Sequence, residues 1–174
     1  MALQVNKTVT GTEPITLDEM KAWMKVDGDA DDTLITELII QGRSLTEFWL
    51  NISIVLQTIV IEATPRSILQ LPYQPVVSIT SVTDRDAVDL SYTFDGFSLA
   101  FTSLSDTITT MDTGYTEPPA GMVLGLKEVI AYLYDGRGDS YGTDASEDSY
   151  DGAIKHFIKR NQNLAAFDKT IWFR

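Results

Sequence analysis

Carboxylates are the residues most densely gathered in this chain. They cluster in Asp27-Gly28-Asp29-Ala30-Asp31-Asp32 and, further on, as Asp144, Glu147, Asp148 and Asp151. Grouped carboxylate oxygens are what a calcium ion takes as ligands, but an EF-hand loop needs its glycine at the sixth position and a bidentate Glu at the twelfth. Here Gly28 stands second and Leu38 twelfth, so helix capping and solvation account for the first run. The second group has no fixed ligand spacing and reads as a solvated charge run. His156 is the only histidine and there is no cysteine, which removes His-rich metal sites, multi-histidine relays, thiolate ligands and disulfides. No G-x-S-x-G serine accompanies it. Gly136-x-Gly138 and Gly121-x3-Gly125 lack the third glycine and the Lys-Ser/Thr ending of phosphate loops. A glycosidase pair would find carboxylates enough, yet none has a distinctive context. The expectation is a non-enzymatic protein with no cofactor and no catalytic or metal-binding residues.

The elements carrying these residues point to architecture instead. Thr16 followed by Glu19 is a capping box, and Leu17, Met20, Trp23 and Met24 then share one face of a short helix over 16–26. The acidic corner lets Asp31 or Asp32 cap a second helix over 32–50, with Leu34, Ile35, Leu38, Ile39, Leu45 and Trp49 as its stripe. Ile54 to Ala63 is β-branched and apolar at both alternating sets of positions, a strand covered on both faces. Pro65, Pro72 and Pro75 turn corners before Val76 to Thr83 resumes β character. Tyr92 and Phe94 face Phe97, Leu99 and Phe101 across Asp95-Gly96, a hairpin, and Thr107 to Met111 adds a further strand. A third helix over 121–135 buries Met122, Leu126, Val129, Ile130 and Leu133, with Gly136 as its left-handed stop. The fold class is therefore α+β. An N-terminal helical pair and a later long helix pack with a small, mostly antiparallel β region over 54–112. Residues 1–13 form a flexible arm, 14–137 one domain, 138–152 an acidic loop, and 153–174 a basic helix with a tail.

With 174 residues, 44% of them hydrophobic, the chain can bury the core of one ordinary domain. No run of about 18 uncharged apolar residues and no signal-peptide pattern appears, so a soluble protein with no membrane contact is expected. Thirteen basic against twenty-five acidic residues give a net charge of −12, which disfavours gripping DNA by phosphate neutralisation.

The order Ile15-Thr16-Leu17-Asp18-Glu19, then Ala22, Met24, Val26 and Asp27, then Asp32, Leu34, Ile35, Leu38, Ile39 and Glu47, resembles the opening of the head–tail connector (adaptor) family of tailed bacteriophages. Leu71-Pro72, Pro75-Val76, Ser78-Ile79 and Val82 resemble its first β segment, and Gly114-Tyr115 with a helix ending in Leu133-Tyr134 its last common part. The match spans Pro14 to Arg137. Asn51-Ile52-Ser53 departs from it, where relatives often carry a Gly-Arg turn, as does everything after Arg137. The resemblance implies a structural ring of about twelve subunits in the virion neck, at the head–tail interface, assembled in the host cytoplasm. It implies portal protein above, a neck or tail-completion protein below, and double-stranded DNA passing through without specific binding. From the residues themselves, Ile40 opposite the buried stripe is expected at a subunit contact. Ile171, Trp172, Phe173 and Arg174 are expected to form a strand docking on another chain, the alternative being a tail that returns to its own sheet. Rival readings are a carboxylate-based hydrolase and a monomeric protein- or carbohydrate-binding module built on the Tyr92 to Phe101 hairpin.

Overall fold

The structure, a computed structural model, describes residues 3–136, 150–165 and 167. Its elements are β1 (Leu3–Val9), α1 (Leu17–Met24), α2 (Asp32–Leu50), β2 (Gln57–Ala63), β3 (Ile68–Gln70), β4 (Val76–Thr83), β5 (Tyr92–Phe94), β6 (Ser98–Phe101), β7 (Thr107–Thr113), α3 (Ala120–Asp135), α4 (Tyr150–Arg160) and α5 (Gln162–Ala165). The fold is α+β. Where one domain was expected, the described residues divide into two compact units: a β unit of residues 3–12 with Val55–Thr116, and a helical unit of Glu13–Ile54 with the described residues of 117–167. Among the described residues no helix is long and apolar enough to cross a membrane.

In the helical unit, Thr16 and Glu19 exchange the two bonds of the capping box, at 3.3 and 3.0 Å, and α1 stops where Lys25 turns left-handed. Neither aspartate caps α2 through its side chain as expected. Asp31 accepts from the Tyr134 hydroxyl and Asp32 from the Lys21 ammonium, so both fasten the helix start to its neighbours instead. The stripe of α2 also lies further round than its apolar residues suggest. Gly42, Arg43, Thr46 and Glu47 are buried with Ile35, Leu38, Ile39 and Leu50, while Leu34, Leu45 and Trp49 are half-exposed. The reason lies in the crossing with α3. A Cβ on Gly42 would stand 2.8 Å from Ile130, so the absence of a side chain there is what lets the helices approach. Gly125 does the same for α5, since a Cβ there would meet Leu164 at 2.6 Å, which explains the spaced glycines of α3 as packing. Gly136 is not left-handed (φ −78°, ψ 0°); α3 ends in a tightened turn whose N–H donates to Tyr132 and Tyr134 carbonyls. The basic helix begins at Tyr150, inside the span expected as loop, and breaks at Asn161, so Leu164 belongs to α5.

In the β unit, a four-stranded sheet of order β1-β2-β7-β4 and a three-stranded sheet β3-β6-β5 are antiparallel throughout. They share a core of Ile59, Ile61, Ala63, Leu69, Leu71, Val82, Leu99 and Met111. Residues 3–9, expected as a loose arm, pair with β2 from Leu3↔Ala63 to Val9↔Gln57. This register places Leu3, Val5 and Val9 on the side of Ile61 and Ile59. The alternation was hidden by Lys7, whose ammonium lies 4.2 Å from the centre of the Tyr73 ring. β2 is fully buried on one face only, with Thr58 and Val60 half-buried and Glu62 exposed on the other. The strand expected last, β7, is central. The hairpin turn centres on Gly96-Phe97 rather than Asp95-Gly96. Gly96 has φ 96° while Phe97 does not enter the positive region, the II′ pattern with glycine first. Gly114 is needed for two reasons, its φ of 102° and the Val55 carbonyl oxygen 2.0 Å from where a Cβ would lie.

Candidate assembly surfaces

The two sides of α2 carry different chemistry. On the inner side the Arg43 Nε donates to both Glu13 oxygens at 3.0 and 2.8 Å, its Nη1 to Glu47 Oε2 at 3.0 Å, and Glu47 Oε1 accepts from the Ile54 N–H at 2.8 Å. Arg43 and Glu47 are 5% and 1% exposed. Burial alone would lower the Arg43 pKa, but the Glu13 hydrogen bonds and the charges of Glu47 and Glu13 outweigh it and raise the value, so the guanidinium stays charged. On the outer side Thr33, Glu37, Ile40, Ser44 and Phe48 follow one another at helical spacing, all exposed. Ile40 and Phe48 are 47% and 58% open, with the small Ser44 between them. Trp49, beside this stripe, meets Phe48 edge-on at 4.9 Å and carries the Lys155 ammonium 4.7 Å from its ring centre.

Of the carboxylates gathered in the sequence, Asp31 and Asp32 serve as anchors for α2, Asp144, Glu147 and Asp148 lie outside the described residues, and further carboxylates elsewhere have structural partners. The Asp32 hydrogen bond raises the pKa of Lys21 and keeps it charged. Asp95 accepts from the Phe97 and Ser98 N–H groups and the Ser98 hydroxyl, and Asp112 from Thr58 and Ser78 hydroxyls. Glu128 accepts from the side-chain amides of Asn161 and Asn163. It lines an open cavity of about 510 Å³ with the exposed His156 and Arg160, and Phe157, whose ring stacks on Tyr132 at 4.5 Å. Among the described residues no three His, Asp or Glu side chains converge as a metal set.

The β unit has a second open surface. Every residue of β5 is exposed, and Tyr92 (38%) and Phe94 (42%) sit in register with Phe101 and Leu99, facing the core side at its uncovered end. Of the residues expected at contacts, Ile40 lies on the outer stripe of α2, and Ile171, Trp172, Phe173 and Arg174 lie outside the described residues. The sequence reading missed Phe48 and the buried Arg43. Phe48 was findable, two turns along the stripe of Ile40; Arg43 gave no signal, because an arginine on a helix normally marks the solvent side.

No protein-family model and no curated protein matches the chain. Solved structures do. The chain shares its fold with chains from gene transfer agent particles. A chain in the structure titled virion of the native gene transfer agent particle superposes with a TM-score of 0.64 at 15% identity, covering 92% of this chain and 95% of that one. One from the neck of the empty particle, computed with C6 symmetry, gives 0.63 at 13%, covering 88% and 94%. One from the neck of the native particle, computed with C12 symmetry, gives 0.59 at 14%, covering 90% and 94%. At such identities the likeness is one of fold.

Proposed function

We propose that this chain is a structural head–tail connector (adaptor) subunit of a tailed-phage-like particle, a neck component with no catalytic role. The observation that carries this reading is the fold likeness, over about nine tenths of both chains, to chains from particle necks computed with C6 and C12 symmetry. Subunits of one kind repeated about an axis must present two different complementary surfaces that close into a ring. A ring of about twelve copies beneath the portal protein would pass double-stranded DNA and receive a neck or tail-completion protein on its other side. Assembly in the host cytoplasm and residence at the head–tail interface of the virion follow from that role. The outer stripe of α2 supplies one contact through Ile40, and residues 171–174, Ile171, Trp172, Phe173 and Arg174, supply a strand that docks on another chain of the assembly. The net charge of −12 suits a conduit that does not hold its cargo. Electron microscopy of the purified protein, alone and mixed with its portal, tests the reading: rings, or attachment to the portal, are expected. A monomer in every mixture overturns it.

A further inference from the structure

Among the described residues the two sheets of the β unit end in four edge strands, and three of them are guarded in the ways that prevent unplanned pairing. β1 turns the charge of Lys7 inward over Tyr73. β3 is bracketed by Pro65 and Pro72. β4 is irregular, with register shifts after Val76 and Ile79, and is partly overlaid where Leu90 and Asp84 N–H groups donate to Val82 and Val88. β5, though only three residues long, has no proline, no charge and no irregularity in its pairing with β6. Because the Asp95 N–H donates to the Ser98 carbonyl, the alternation of an antiparallel ladder makes Thr93/Ala100 the next bonded pair. The N–H and C=O groups of Tyr92 and Phe94 are thereby directed outward, beneath two half-open aromatic rings.

We infer that the outer edge of β5 is the acceptor for an added strand, and that the strand is residues 170–174 of a second copy of this chain. The inference rests on the ring reading above, which requires a contact between unlike surfaces of neighbouring copies. Residues 168–174, at about 3.3 Å each, span about 23 Å when extended. Their pattern complements the edge. Asp89 and Asp95 flank β5, while Lys169 and Arg174 flank the apolar Ile171-Trp172-Phe173. With Ile171 and Phe173 laid beside Tyr92 and Phe94, Trp172 falls on the face of Thr93.

Across the new ladder Thr93 occupies a non-hydrogen-bonded position, where opposed Cα atoms stand about 4.5 Å apart, within the roughly 4.4 to 6.8 Å that a disulfide spans. The chain contains no cysteine, so introduced thiols have no competitors. Full-length Thr93→Cys and Trp172→Cys proteins, mixed and oxidised, are expected to give covalent dimers containing one chain of each, with Thr170→Cys and Arg174→Cys covering a two-residue shift in register. Ile171→Cys, on the opposite face, is expected to give none. If the Thr93→Cys/Trp172→Cys double variant cross-links only within one chain, the segment returns to its own sheet and the inference fails. It fails equally if no variant cross-links to Thr93→Cys. Electron microscopy of the same samples, alone and mixed with the portal, separates the two readings: rings without the cross-link overturn strand docking alone, whereas cross-linked pairs that neither close nor attach to the portal support docking and overturn the ring.

Discussion

At the residue scale, Arg43 and Glu47 form a buried charge pair whose value lies in its completeness. Each Glu47 oxygen has a partner, one on Arg43 and one on the Ile54 N–H, and Glu13 takes the other edge of the guanidinium. Removing Glu47 leaves Arg43 with Glu13 alone and takes the acceptor from the buried Ile54 N–H, so Glu47→Ala is expected to lose about 2–3 kcal/mol in urea unfolding. Replacing both as Arg43→Met/Glu47→Leu is expected to lose much less than the sum of the singles. A Glu47→Ala loss below about 1 kcal/mol would remove the pair from the account of this fold. Asp95 gives a second, pH-dependent prediction. The Phe97 N–H, then the Ser98 N–H and hydroxyl, hold its carboxylate below the usual value. A depressed folded pKa contributes stability above the unfolded value of about 4, and that stability disappears as pH falls through the folded value. Asp95→Asn should therefore melt below the native protein at pH 7, with the gap closing below about pH 4. A gap that stays constant with pH would show that shape, not charge, matters at this turn.

At the element scale, α2 is buried on a side that its own apolar residues only partly mark. The residue that decides its orientation is Gly42, because the close approach of Ile130 is possible only there. The same reasoning predicts that Gly125→Ala, which drives a methyl to 2.6 Å from the buried Leu164, costs about 1–3 kcal/mol. Pairing it with Leu164→Ala should recover part of the loss, a coupling visible in a double-mutant cycle; strictly additive effects would contradict the packing explanation. The outer stripe behaves in the opposite way. Ile40 is already 47% exposed, so Ile40→Asp is expected to change the stability of the lone subunit by no more than about 0.5 kcal/mol while preventing ring formation. Full-size rings from that variant, or an unfolded one, would remove Ile40 from the contact.

At the scale of the whole molecule, charge is the dominant property. A net charge of −12 repels a polyanion, and at about 0.15 M salt this repulsion extends over about 8 Å. The isolated protein is expected to leave linear duplex DNA unshifted in a gel at physiological salt. Tight, sequence-selective retention there would contradict the passive conduit and point to regulation instead.

Local signals read correctly from the sequence were those in which neighbours along the chain satisfy each other. Thr16 and Glu19 cap α1 from within four residues, α2 and α3 repeat apolar residues at helical spacing, and Gly96 permits a turn wherever it lies. Enough of the order of elements survived to suggest the α+β class. Tertiary structure decided what depends on a partner distant in sequence. Asp31 does not cap because Tyr134, 103 residues away, takes its oxygen. Leu3–Val9 is a strand because β2 offers it an edge, and Lys7 is tolerated on the apolar side because Tyr73 lies beneath it. Arg43 is inside because Glu13 and Glu47 neutralise it there. Hydrophobic periodicity reports the average environment of a residue type, and these residues occupy environments that only long-range pairing creates.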